Sequence, residues 1–247
     1  MTRDADTTPA PIGVAATVVL LRDGAEGPEV LLLERPHHRG SFAGAWVFPG
    51  GGVDPEDRLA TDAVVPASVG DVVAQAEAVE QLAARRAAAR EVREETGLAV
   101  APDSLVATAV WIPPAGTGKR LRTWFYLTAA PAGPIVLAEH EVIDYAWLRP
   151  EVALELHASA ALTLIAPTWV TLHGLCGSGS VAAIVARAAE RGRARYETRM
   201  RAGERGPVLF WAGDVAYDDE ALVEQAGGRH RLEIGEVPWV YRTNGLD

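Results

Sequence analysis

The chain has 247 residues, enough for one large domain or one domain with a substantial extension, and 49% of them are hydrophobic, ample for a core. A formal net charge of −10 argues against nucleic-acid binding and favours small-molecule partners. The lone Cys176 excludes an intrachain disulfide and suits a reducing cytoplasm, and no apolar run approaches the roughly 20 residues of a membrane-spanning helix.

Residues 1–11, with acids, threonines and prolines and no apolar signal core, read as a disordered arm. Val14 to Leu21 and Glu29 to Glu34 read as a strand pair, with turn signals between them from Arg22 to Pro28. A basic loop follows, Arg35-Pro36-His37-His38-Arg39-Gly40, and then Trp46-Val47-Phe48-Pro49 leads into Gly50-Gly51-Gly52. From Asp71 a helical pattern runs through the Ala-rich stretch 83–89 into Arg90-Glu91-Val92-Arg93-Glu94-Glu95-Thr96, and Gly97 is the residue type that stops it. Glu91, Glu94 and Glu95 stand at i, i+3 and i+4, on one face. Like charges so spaced repel by roughly 0.2–0.5 kcal/mol per pair, and acids at a helix C-terminus also oppose its dipole. A hard divalent cation reverses that sign, because it takes carboxylate oxygens while leaving room for water and phosphate. The alternative is a solvated helix end with Arg90 facing Glu94 as an ordinary pair.

Gly51 and the run Arg90, Glu91, Val92, Glu94, Glu95, Gly97, Leu98 resemble the box of the Nudix hydrolases, G-x5-E-x7-R-E-U-x-E-E-x-G-U with U aliphatic. Gly51 and Arg90 stand 39 positions apart where the pattern spaces them by 14, so the box carries an insertion, about 58–82, expected to extend the box helix backwards or to shield the pocket. The pattern's first glutamate falls on Asp57 counting from Gly51, or on Leu82 counting back from Arg90. The resemblance implies an α/β fold, the Nudix α/β/α sandwich with a mixed sheet, over 12–150. It implies Mg²⁺ or Mn²⁺ held by Gly50, Glu91, Glu94 and Glu95, with Glu91 as ligand or base and Arg90 fixing a carboxylate. It also sets Arg35 and Arg39 where relatives often hold substrate; a solvated turn is the other reading.

Beyond the box, strands are predicted over Val100 to Ile112, in two pieces, and Leu121 to Thr128, joined by a loop containing Lys119 and Arg120. With Arg122 these are candidates for phosphate, or for an exposed hairpin tip; the spacing is not that of a P-loop. Glu141, with Glu139 second, is the glutamate that the resemblance puts forward as a further metal ligand or base, ahead of a strand from Ile143 to Leu148. Residues 151–247 read as a mainly helical extension packed on the core, with helices over Ala153 to Ser159, Thr168 to Leu175 and Val181 to Arg191, the last capped by Ser180. Short strands at Val208 to Trp211 and Arg231 to Tyr241 flank a predicted helix near Asp219 to Ala226.

The function implied is metal-dependent hydrolysis of the diphosphate in a nucleoside diphosphate linked to another group. The interrupted box, Trp111 to Pro114 and Arg120 to Tyr126 resemble the branch acting on coenzyme A and acyl-CoA. ADP-ribose or a nucleotide sugar is an alternative, and a noncatalytic nucleotide-sensing module is another. Many relatives pair, so a homodimer is expected; a membrane partner is not.

Overall fold

The computed structural model describes residues 12–38, 42–59, 72–116 and 120–244. Strands β1 (Gly13–Gly24) and β2 (Gly27–Glu34) form the expected hairpin, and β3 (Ala45–Val47) and β4 (Gly50–Gly52) flank the Phe48-Pro49 corner. A short helix α1 (Pro55–Leu59) precedes α2 (Val72–Thr96), a single helix of 25 residues. The described part of the insertion therefore extends the box helix backwards. Then come β5 (Val106–Ile112), β6 (Leu121–Ala129), β7 (Asp144–Leu148) and α3 (Pro150–Ala158). After them follow β8 (Thr163–Leu164), α4 (Ala166–Leu175), α5 (Val181–Arg191) and β9 (Ala194–Glu197).

The main sheet runs β8-β3-β2-β1-β6-β5-β9, with β4 on β1 and β7 on β2. Its centre is the parallel pair of β1 and β6, in register from Gly13 and Leu121 to Leu21 and Ala129. Alternation along β1 sends Val18 and Leu20 to one face and Val19 and Leu21 to the other, and both faces are covered. On the first lies α2, through Ala84, Ala87, Ala88 and Val92; their small side chains let the helix approach closely, and larger ones would cost about 1–3 kcal/mol in overpacking. On the second lie α3, α4 and α5. This is the three-layer α/β sandwich the resemblance implies.

The forward half of α2 is gripped by later parts of the chain. Glu80 accepts from Arg122 Nη1 at 3.2 Å and Trp124 Nε1 at 2.9 Å, and the Gln81 carbonyl accepts from the Tyr126 hydroxyl at 2.8 Å. Arg193, just before β9, pairs with Glu77 at 2.6 Å and lies over the Trp124 ring.

Three expectations need correction. The extension is helical only as far as Arg191; beyond β9 it folds as a four-stranded antiparallel sheet of β10 (Arg199–Gly203), β11 (Gly206–Phe210), β12 (Arg229–Glu233) and β13 (Val240–Asn244). The helix expected near Asp219 to Ala226 is a single 3-10 turn, Glu220–Leu222, because Asp219 caps Ala221 N–H and a Gly227-Gly228 pair follows at once. Between Val100 and Val106 a 3-10 turn, Pro102–Ser104, replaces the first of the two predicted strand pieces. Ser180 caps α5 as read, accepting from Ala183 N–H. Among the described residues no helix is long and apolar enough to cross a membrane.

Candidate active site

The site lies where the C-terminal turns of α2 meet the glycine corner of β4. Gly97, at φ 73°, ends the helix, and its N–H still reaches the Arg93 carbonyl at 2.9 Å. Gly50 N–H donates to Glu95 Oε2 at 2.8 Å. A Cβ at Gly50 would collide with the Ala16 carbonyl and the Thr17 hydroxyl, and one at Gly51 would collide with the Glu91 carboxylate, so only glycine lets the strand pass this close to both acids.

Arg90 organises the acids around it. Its Nη2 donates to Asp57 Oδ2 at 3.0 Å and to the Gly52 carbonyl at 2.9 Å; its Nη1 donates to Glu91 Oε1 at 2.9 Å and Glu94 Oε2 at 3.0 Å. Asp54 is 3.3 Å from the same guanidinium. Asp57, only 6% exposed, is thus the one of the two candidates, it and Leu82, that bonds to the arginine of the box. The sequence signal for it was its distance from Gly51; the role of Asp54 had no signal. The Arg90 pKa is held above its ordinary value, mainly by the hydrogen bond to Asp57, with Glu91 adding to it against burial.

Burial pushes the Glu95 carboxyl up to about 8; the Gly50 N–H and the Arg35 charge oppose this, while Glu91 and Glu141 add to it. Glu91 is raised too, first by burial, with Arg90 opposing and Glu94 and Glu141 reinforcing. Glu141 lies in the turn after Ala138, and its charge adds to both shifts. Its loop is tied to the end of α2 by Val136 N–H to the Thr96 carbonyl at 2.9 Å. Glu139 stands two residues earlier in the same turn and is exposed.

Of the expected residues, Gly50, Arg90, Glu91 and Glu95 come together, and the charges of Arg35 and Glu141 act on Glu95. Glu94 is adjacent but turned outward, 52% exposed and held on Arg90. Arg120 is not brought in: its Nη2 donates to the Pro113 carbonyl of its own hairpin at 3.0 Å. Arg122, likewise, is spent on Glu80. Arg39 and Lys119 lie outside the described residues.

The donor chemistry fits a hard divalent cation: carboxylate oxygens in excess of cations, two of them buried against backbone. Among the described residues no three such side chains yet converge on one point, because Glu94 is turned to Arg90 and Glu95 to Gly50 N–H.

A family model described as NUDIX domain matches residues 70–166. No curated protein matches. Among solved structures the chain is similar to a NUDIX hydrolase from Alicyclobacillus acidocaldarius, at 23% identity and TM-score 0.60, over 71% of this chain and 96% of that one. It is also similar to a MutT protein from Methanosarcina mazei Go1, at 22% identity and TM-score 0.46, over 68% and 97%, respectively. A MutT NUDIX hydrolase from Burkholderia pseudomallei is matched at 23% identity and TM-score 0.43, over 66% and 97%. The first of these likenesses shows a shared fold.

Proposed function

We propose that this chain, which carries a NUDIX domain, is a divalent-metal-dependent hydrolase that cleaves the diphosphate of a nucleoside diphosphate linked to another group. The observation that supports it is the pair of half-buried carboxylates, Glu91 and Glu95, set against Gly50 and Gly51, with the charges of Glu141 and Arg35 acting on Glu95.

Glu91, Glu94 and Glu95, with Gly50 beside them, are the residues that would hold Mg²⁺ or Mn²⁺. Such an ion, when bound, neutralises phosphate charge and lowers the pKa of water. Arg90 holds Glu91 and Glu94 in place and is itself held by Asp57. Glu141, exposed and free of a competing arginine in the described structure, is the group to take the proton of the attacking water, with Glu91 as the other candidate. Arg35 is the described basic residue on the carboxylate side and binds phosphate.

For the substrate, the interrupted box points to coenzyme A or acyl-CoA. With Arg120 and Arg122 used inside the fold, the extra phosphate of coenzyme A has to be met elsewhere. The test is incubation with coenzyme A, ADP-ribose and diadenosine polyphosphates, with Mg²⁺ or Mn²⁺. Turnover is expected to need the metal and to fall by about a hundredfold or more in Glu91→Gln and in Glu95→Gln. Unchanged turnover in both variants would remove the site. Nucleotide binding without turnover of any substrate would favour the noncatalytic module.

A further inference from the structure

We propose that Tyr145 is a specificity-determining residue, whose ring takes the nucleobase of the substrate by stacking while Arg35 beside it meets the diphosphate. The Arg35 half rests on the hydrolase reading above; the Tyr145 half is separately testable.

The chain has five tyrosines. Tyr126 donates its hydroxyl to Gln81, Tyr196 stacks on Trp111 at 3.9 Å, Tyr217 lies under Arg199, and Tyr241 packs edge-on against Trp169 and His173. Among the described residues only Tyr145 has neither its ring nor its hydroxyl engaged, and it is 39% exposed.

Its placement follows from the register. In the ladder of β2 and β7, Leu31 opposes Trp147 and Leu33 opposes Tyr145, and directly opposed residues share a face. Leu31, Leu33 and Trp147 all pack under α2, so the Tyr145 ring stands on the α2 side, where the carboxylates are. Arg35 continues β2 two residues beyond Leu33, on that same face and one diagonal step from Tyr145, and its charge acts on Glu95. Among the described residues β7 pairs only with β2, so Tyr145 sits at the edge of the sheet, where a flat ligand can reach it. An aromatic ring left partly in water beside a cation and a set of acids is an apolar surface with one use: a planar, apolar-faced group whose other end is anionic.

The experiment measures equilibrium binding of AMP, GMP, CMP and UMP, and of ribose 5-phosphate, to the full chain with Mg²⁺, for the parent, Tyr145→Phe and Tyr145→Ala, each checked for folding by thermal melting. In the parent at least one nucleotide is expected to bind roughly tenfold more tightly than ribose 5-phosphate. Tyr145→Ala removes that difference, Tyr145→Phe keeps it, and ribose 5-phosphate binds all three alike. In turnover, Tyr145→Ala raises KM by a similar factor and leaves kcat within about twofold. Parent-like nucleotide binding by a folded Tyr145→Ala protein overturns the proposal, as does a parent with no preference for any nucleotide over ribose 5-phosphate. A Tyr145-dependent preference in a parent that hydrolyses nothing supports the stacking role and rejects the hydrolase.

Discussion

Arg231 and Arg90 are both surrounded by acceptors, yet the charge around them is balanced in one case and in excess in the other. Arg231 meets Asp214 through Nε and Nη2 at 2.7 Å each, the side chains are 8% and 0% exposed, and Asp214 also accepts the N–H groups of Ala216 and His230. Its Nη1 goes to the Val223 carbonyl. Arg90 is shared among Asp54, Asp57, Glu91 and Glu94, and beyond it Glu95 and Glu141 add acids, with the Arg35 charge opposing them at Glu95. The titration directions follow. Burial raises Asp214, but Arg231 and the two N–H groups outweigh it and hold the carboxyl below its ordinary range, whereas Glu91 and Glu95 stand above theirs. A buried pair that satisfies itself belongs to the fold; acids gathered beyond what the chain can neutralise mark a place for something else.

The largest expected effect tests the closed pair. Asp214→Asn leaves Arg231 buried without its counter-charge and is expected to cost about 3–5 kcal/mol in urea unfolding, with turnover per folded molecule unchanged. A loss below 1 kcal/mol would erase the contrast. Next is the open cluster: Mg²⁺ at a hundred times its Kd is expected to stabilise the parent by about 2.7 kcal/mol, and Asp214→Asn equally. The Glu91→Gln, Glu95→Gln double variant should gain almost nothing by the same melts.

The smallest and most gradual effect is with pH. A carboxyl depressed in the fold contributes stability that is complete above its unfolded value, 3.8 for Asp214, and is lost as pH falls through its lower folded value. Urea midpoints of the parent should therefore decline below about pH 4 more steeply than those of Asp214→Asn, and parallel acid limbs would show that the pair does not titrate with folding.

The box helix and its glycine corner were legible because their signals are local: three glutamates, an arginine and a stopping glycine within nine residues, and three glycines in a row. Asp57 was not separable from Leu82, since the position of an insertion within a spaced pattern cannot be read from spacing; only α1, laid against Arg90, decides it. Arg35 was one of several basic candidates, and what sets Arg120 apart from it is that Arg120 is spent on the Pro113 carbonyl of its own hairpin. Asp214, in the loop after β11, pairs with Arg231 on β12, at no helical or hairpin spacing, so nothing short of the fold announces them. Of the small sheet, Val208 to Trp211 and the run from Arg231 to Tyr241 were legible as strands, but β10 and the division of that run into β12 and β13 were not, because strands of about five residues leave little periodicity to count.

The grip of Arg193 on Glu77 gives the order of synthesis a physical meaning. A nascent chain that has cleared the ribosome as far as Leu98 has the acids of the box helix, but Glu141 and the guanidinium that clasps the far end of that helix are still to be translated. Arg122, Trp124 and Tyr126 reach Glu80 and Gln81 first, and Arg193, made much later, adds one more hold at Glu77, so the terminal third finishes a clasp that the strands before it begin.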